Sequence, residues 1–173
     1  RESTARVAAG AVARRLLEEF DITIHGHVLC IGSVHASSEE SIDWAGAENS
    51  PVRCADPVAE KAMMEAIDDA RERGDTVGGI VEVVATGAPI GLGSHVQWDS
   101  KLSSRLAAAV MSLNAVKGVE FGAGFAQADM RGSELHDVVI PIEEWETNPD
   151  GDWVRPWPRY TNNSGGLEGG MTT

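Results

Sequence analysis

Residues 91–120 constrain the fold of this chain more than any other stretch. They begin with a glycine-rich turn, continue as a capped amphipathic helix, and close with a second turn at 114–118. Asp99 is the predicted N-cap, and the predicted core face of the helix consists of Leu102, Leu106, Val110 and Leu113. Loops that flank a rigid helix often carry binding residues. The stretch therefore predicts a buried helix with ligand-binding residues near its ends.

Two further helices are predicted from periodicity and capping. Residues 4–19 place most charged residues on one side, and the apolar side consists of Val7, Ala11, Leu16 and Phe20. Asp56 followed by Pro57 is a strong helix start, and that helix is predicted to run to about Arg73. Gly74 then supplies a left-handed turn.

Three strands are predicted at 21–32, 77–86 and 135–140. In the first, alternation places Val28 and Cys30 on one face. The second is mostly apolar and is predicted to be well buried. Residues 33–55 show little periodicity and are predicted to form a long surface loop.

Composition excludes several classes of protein. The formal net charge is −13 and the basic residues form no block, which argues against a nucleic-acid partner. No apolar run approaches the ~20 residues of a membrane span. Cys30 and Cys54 lie far apart in sequence, which favours reduced thiols over a disulfide. Neither an internal repeat nor a domain boundary is visible, so we expect residues 1–173 to belong to one domain.

Several long motifs, in order along the chain, resemble those of one enzyme family. They are Arg1–Ala11, Ser50–Cys54, Gly74–Gly79, Gly91–Leu102, Met111–Glu120 and Thr161–Thr172. Similar motifs occur in the same order in chorismate synthase. The resemblance covers nearly the whole chain, apart from the stretches around 33–48 and 141–158.

This resemblance implies a fold and a reaction. The fold would be α+β, a β-α-β sandwich with helices between antiparallel sheets, of which residues 1–173 are the central part. The reaction would be that of a carbon–oxygen lyase acting on phosphates: elimination of phosphate from 5-enolpyruvylshikimate 3-phosphate to give chorismate, in aromatic amino acid biosynthesis. It requires reduced FMN without net redox change, with NADPH as the expected reductant where the enzyme reduces its own flavin.

The family further implies a cytoplasmic homotetramer. Its catalytic histidines, its phosphate-binding arginines and a flavin-completing Arg-His-Asp segment are expected outside residues 1–173. We therefore assign no catalytic residue here and expect this chain alone to be inactive.

Three residues are the predicted flavin contacts: Asn114, Ala115 and Gly169. A small residue lets a planar ring approach, and an amide both donates to and accepts from the pyrimidine edge of a flavin. On spacing alone, Asn114 is better explained as a helix C-cap, and the family resemblance reverses that preference. The paired glycines around Gly169 suit a flavin wall, although a flexible glycine tail has the same sequence.

The sequence gives weaker support for other polar residues as binding or catalytic residues. His25 and His27 share a strand face, which permits metal binding, but no third ligand has convincing spacing and solvent-facing histidines are favoured. No metal site is assigned. For His95 two interpretations have equal support: a residue close to a bound ligand, and a hydrogen-bonded loop residue. His136 and Asp137 would point to opposite faces of a strand and so form no catalytic pair. Lys117 lies near the predicted flavin edge.

The chain departs from the family motifs at four positions: Gln97, Ser100, Ala123 and Asn163. None of them is a predicted flavin contact. The four departures leave open that the chain is an inactive paralogue of the enzyme. A glycine-rich acidic scaffold domain without catalysis is a further alternative. Flavin affinity distinguishes the scaffold from the enzyme, because a scaffold would have none.

Overall fold

The computed structural model describes residues 2–37, 42–141 and 157–173. The chain divides into two compact units, Arg1–Gly87 and Ala88–Thr173. In the first unit the elements are α1 (Glu2–Glu18), β1 (Thr23–Ile31), β2 (Val34–His35), α2 (Trp44–Asn49), α3 (Pro57–Glu72) and β3 (Gly79–Thr86). In the second they are α4 (Leu102–Met111), a 3-10 helix (Gly124–Asp129), α5 (Gly132–Leu135), β4 (Leu167–Glu168) and β5 (Met171–Thr172). Both strand sets are antiparallel, so the predicted α+β class is confirmed.

The sheet of the first unit has the order β2-β1-β3. Its register shifts between Val28 and Cys30, so that Val28 pairs with Val81 while Cys30 pairs with the adjacent Ile80. Paired residues share a face and adjacent residues do not. The prediction that Val28 and Cys30 share a face is therefore wrong, because a bulge reverses the alternation between them.

The apolar core of the first unit lies between this sheet and α3. Met63 on α3 is fully buried beside Cys54 and Ala59, and partly buried residues of β1 and β2, including Val28 and Ile31, pack against them. Both cysteines are free and buried. The core therefore forms where the bulged strand presents Val28 and Ile31 to α3.

The predicted start and end of α3 are confirmed. The Asp56 carboxylate accepts hydrogen bonds from the Val58 and Ala59 amides at 2.8 and 3.1 Å, and from the amide and hydroxyl of Ser37 at 3.0 and 2.8 Å. These bonds, led by the one from the Ser37 amide, hold the pKa of Asp56 at about 2. At the other end Gly74 has a φ of +66°, as the predicted left-handed turn requires.

The prediction of a long surface loop at 33–55 is wrong. The stretch contains β2 and α2, and Ala47, Ser50 and Cys54 are buried. Asp43 caps α2 by accepting a hydrogen bond from the Gly46 amide at 2.9 Å. Both elements are too short to produce a readable period, so the stretch reads as a loop.

Helix α1 and strand β3 form as predicted, but their apolar faces are exposed. On α1, Val7 is 73% exposed and Leu16 is 60% exposed, and no residue of that helix is buried. On β3, Val81 and Val83 are 65% and 66% exposed, so the prediction of a buried strand is wrong. Among the described residues β3 pairs with β1 alone, which makes it an edge strand. The sequence specifies these elements, but burial depends on what else covers them.

In the second unit, α4 begins later than predicted. Its N-cap is Lys101, which makes no side-chain capping bond, so the assignment of Asp99 as the cap is wrong. No residue of α4 is buried and Leu106 is 40% exposed, so the predicted burial of the apolar face is also wrong. The strand predicted at 135–140 is replaced by α5 and an irregular segment with one isolated bridge, from Val139 to Arg159.

Candidate functional site

Two motifs that lie far apart in sequence meet in the second unit. The backbone of Thr172 accepts from the Gly91 amide at 2.9 Å and donates to the Leu92 carbonyl at 3.0 Å. The Thr172 hydroxyl accepts from the Leu92 amide at 2.8 Å and donates to the Pro89 carbonyl at 2.6 Å. Thr172 thus fastens the glycine-rich loop at 91–95 to the hairpin β4–β5. The sequence pattern did not indicate a role for Thr172, because its partners lie about 80 positions away.

Two glycines at this junction are sterically required. A Cβ on Gly93 would lie 2.5 Å from the Gly170 carbonyl oxygen, and one on Gly170 would lie 2.8 Å from the Ser94 carbonyl oxygen. Their φ angles are +105° and +90°, in the region that favours glycine. The backbones of the two motifs therefore approach as closely as glycine permits.

Gly169 differs from its neighbour. Its φ is +58°, and a Cβ built there would have no atom within 4 Å. Gly169 is exposed whereas Gly170 is buried. The hairpin turn therefore has one glycine packed against the loop and one glycine with open space in front of it. This segment forms an ordered turn rather than the flexible glycine tail that its sequence also permits.

Asn114 and Ala115 lie in an exposed turn beyond the end of α4. The C-cap of α4 is Ser112, whose hydroxyl donates to the Ala109 carbonyl at 2.6 Å, so Asn114 is not the helix cap. Within the described residues the Asn114 amide has no hydrogen-bond partner. Ala115 has a φ of +67°, which is uncommon for a residue with a Cβ. The turn therefore presents an unpartnered amide beside a small residue in an unusual conformation.

The three predicted flavin contacts are not all adjacent. The Gly170 carbonyl accepts from the amide of Leu102, the first residue of α4, at 2.8 Å, whereas Asn114 follows the last turn of that helix. Ten helical residues span about 15 Å. The structure therefore brings Asn114 and Ala115 together and places Gly169 near the opposite end of α4. A ligand that contacts all three must extend along the helix.

Asp137 organises the segment that leads to the hairpin. Its carboxylate accepts from the Thr161 hydroxyl at 2.6 Å and from the amides of Asn163 and Ser164 at 2.7 and 2.8 Å. Burial raises the pKa of this carboxyl, but hydrogen bonds led by the one from Thr161 outweigh burial and leave the pKa below its ordinary value. The sequence pattern suggested for Asp137 only half of a catalytic pair with His136. Its structural role was missed because its partners lie 24–27 positions away.

Asn163, one of the departures from the family motif, has a structural role. Its amide donates to the carbonyls of Glu134 and Leu135 at 3.1 and 3.0 Å, which fastens the end of α5 to the 161–166 turn. Its own carbonyl accepts from the Ala123 amide at 2.7 Å. Asparagine at this position therefore supports the turn directly.

The histidines behave differently from one another. His27 is 5% exposed and its Nε2 lies 2.7 Å from a Glu82 carboxylate oxygen, so the prediction that it faces solvent is wrong. His25 shares the face of His27 and stacks on Trp44. His95 and Lys117 are exposed. Among residues 2–37, 42–141 and 157–173, no group of three or more His, Cys, Asp or Glu side chains is arranged to hold a metal ion.

The whole of this chain matches one family model. Residues 1–173 match the model described as "Chorismate synthase". This chain belongs to the chorismate synthase family. The chain is 54% identical over 176 residues to a chorismate synthase of Brevibacillus brevis and 54% identical over 177 residues to that of Bacillus subtilis. Each alignment covers 100% of this chain and 43% of the relative, so the chain spans less than half the length of these curated chorismate synthases.

A solved structure gives the same assignment. The chain superposes on a protein described as "Crystal Structure of Chorismate Synthase" with a TM-score of 0.83 at 38% sequence identity. The superposition covers 98% of this chain and 51% of that one. The fold is therefore of the chorismate synthase type, as the motifs predicted.

Proposed function

We propose that this chain is the central part of a chorismate synthase, a lyase that eliminates phosphate from 5-enolpyruvylshikimate 3-phosphate to give chorismate. The observation that carries the proposal is the interlocking of two family motifs around Gly93 and Gly170. That interlocking leaves Gly169 with open space in front of it. Residues 1–173 then form part of one larger catalytic domain.

The described residues fit a flavin. Gly169 offers backbone without side-chain bulk, and Asn114 offers an unpartnered amide that can both donate and accept. Their separation along α4 suits an elongated ligand with a ring system at one end and a phosphate at the other. The chemistry that reduced FMN supplies in such a site is transient electron donation during C–O bond cleavage. The residues of this chain bind and orient that group.

Charge supports a specific role for Lys117. The chain has a net charge of −13, whereas FMN and the proposed substrate are anions, so binding depends on local cations. Lys117 is exposed and lies three positions beyond Asn114. In this proposal it faces the anionic ligand, and the catalytic histidines come from parts of the enzyme outside this chain.

The finer properties of the enzyme follow the same proposal: a cytoplasmic homotetramer, with NADPH as the reductant where the enzyme reduces its own flavin. The exposed apolar faces of α1 and β3 support burial against further protein, because large exposed apolar patches mark contact surfaces. No helix in the described part of the chain is long and apolar enough to cross a membrane.

Flavin titration tests the site. This chain would replace the matching segment of the Bacillus subtilis relative, and FMN binding would be followed by fluorescence quenching. Asn114→Leu keeps the approximate size but removes the polar edge, at a cost of about 1–3 kcal/mol, so affinity is expected to fall roughly 5- to 150-fold. Gly169→Val is expected to cost more, because a rigid branched side chain enters the open space in front of the turn.

Gly74→Val is the matched control for Gly169→Val. Gly74 also has a positive φ and open space around its Cβ position, so the backbone strain is comparable, but it lies in the other unit. It should leave FMN affinity unchanged. Unchanged affinity in both site variants would remove Asn114 and Gly169 from the flavin site. If the chimera without further substitutions showed no FMN affinity, the result would favour the scaffold alternative.

A further inference from the structure

The first unit contains a cavity that the proposed flavin site does not use. Its volume is about 300 Å³, near the lower end of the range for small-molecule sites. Residues from α1, β1 and α2 and the segment after α2 line it, among them Arg14, His25, Gly26, Trp44, Glu48 and Arg53.

One wall of the cavity is aromatic and fixed in position. The rings of His25 and Trp44 are stacked, with centroids 4.7 Å apart and planes 23° apart. The buried ring of His27 meets Trp44 edge-on at 5.3 Å, and His27 is itself held by Glu82. Trp44 therefore contacts two imidazoles, one of them buried and hydrogen-bonded. A wall fixed in this way favours a planar ring, since aromatic groups gain energy from stacked and edge-to-face contacts.

The cavity also has one uncompensated cation. Arg53 donates to the Gly26 carbonyl at 3.2 Å and pairs with Glu48. Arg14 has no hydrogen-bond or ion-pair partner within the described residues. Its neighbour Arg15 pairs with Glu18 and Glu19 and does not line the cavity. The charged side chains that line the cavity therefore sum to one positive charge, located on Arg14.

We propose that this cavity binds a small planar aromatic carboxylate. The ring packs against Trp44 and His25, and the carboxylate pairs with the Arg14 guanidinium, whose planar fork matches a carboxylate. The volume accommodates a single-ring compound, and the single free charge matches a monoanion. Every residue that forms this site lies in the first unit, and none of them is a proposed flavin contact.

Calorimetric titration of the 173-residue chain tests the proposal with three matched probes. Benzoate carries the ring and the charge, cyclohexanecarboxylate carries the charge without a planar ring, and benzamide carries the ring without the charge. We expect benzoate to bind about tenfold more tightly than either of the others. Equal affinity for cyclohexanecarboxylate would overturn the aromatic specificity, and equal affinity for benzamide would overturn the role of Arg14.

A matched pair of variants locates the bound carboxylate. Arg14→Gln and Arg15→Gln remove the same charge from adjacent positions of α1, and both residues are good helix formers before and after the change. Arg14→Gln should weaken benzoate binding about tenfold, whereas Arg15→Gln should change it less than twofold. Equal losses would show that the anion responds only to overall charge, and no benzoate binding by the wild-type chain would overturn the proposal.

Discussion

All the buried apolar side chains of the described residues lie in the first unit, where Met63, Cys54 and Ala59 pack against the sheet. Among residues 88–141 and 157–173 of the second unit, the buried positions are Asp137 and Gly170. That unit is held by a buried carboxylate and by backbone hydrogen bonds between glycine-rich segments. The first unit therefore depends on apolar burial. The second depends on polar geometry, and it is also where the proposed flavin contacts lie.

The difference explains why α3 has a buried side chain at its centre, whereas the burial predicted for α4 is wrong. The apolar side of α3 faces a bulged strand of its own unit, so Met63 is buried. The apolar side of α4 has a similar period, but Leu106 is 40% exposed. Periodicity identifies a helix and its apolar side, whereas burial requires a partner surface.

The largest expected effect comes from removing the centre of the apolar core. Met63→Ala should lower the free energy of unfolding by about 2–5 kcal/mol, because the deleted atoms leave a cavity at a fully buried site. Met64→Ala is the matched control, since Met64 is 42% exposed on the same helix, and it should change stability by less than about 1 kcal/mol. Urea unfolding measures both. Similar losses at the two positions would contradict the assigned core.

The next effect tests the polar second unit. Asp137→Ala leaves the Thr161 hydroxyl and the Asn163 and Ser164 amides without their acceptor, which should cost about 2–3 kcal/mol. Amide hydrogen exchange at Asn163 and Ser164 should accelerate, while exchange in α3 stays unchanged. Asp129→Ala is the control, because Asp129 is an exposed carboxylate of the same unit. Unaltered protection at 163 and 164 would show that Asp137 does not hold this turn.

Acid should weaken both units through these two carboxylates. The pKa of Asp56 is about 2 in the folded chain and that of Asp137 is also lowered, so each stabilises the fold fully above its unfolded value near 3.8. For Asp56 that stabilisation is lost as pH falls from about 4 toward 2, and for Asp137 it is lost as pH falls below about 4. Asp56→Ala should cost about 1 kcal/mol near neutral pH and reduce the acid dependence of stability. An identical acid dependence in wild type and variant would contradict the low pKa of Asp56.

The smallest effect concerns α4. Leu106→Ala should cost less than about 1 kcal/mol in this chain, because the side chain is 40% exposed. Ser103→Ala, on the same helix, should be nearly neutral. Thermal unfolding compares the two with Met63→Ala. A loss for Leu106→Ala as large as that for Met63→Ala would show that α4 is packed as firmly as α3.

The sequence was most informative where a structure depends on adjacent residues. Asp56 and Pro57 predicted the start of α3, and Gly74 predicted the turn after it. It was least informative where a structure depends on distant residues. Examples are the bulge that moves the Cys30 side chain to the other face of the sheet, the hydrogen bonds that Asp137 accepts, and the hydrogen bonds by which Thr172 holds the glycine-rich loop. The predicted flavin contacts came from family motifs. Neither the capping rules nor the periodicity indicated that Gly169 and Asn114 lie near opposite ends of α4.

We propose above that these residues form the middle of a working chorismate synthase. The most direct test replaces the matching 43% of the Bacillus subtilis relative with this chain. The purified chimera is then assayed anaerobically for chorismate, with reduced FMN and 5-enolpyruvylshikimate 3-phosphate. We expect chorismate formation by the chimera and none by the 173-residue chain alone. A folded chimera that binds FMN but forms no chorismate would contradict it and favour an inactive paralogue.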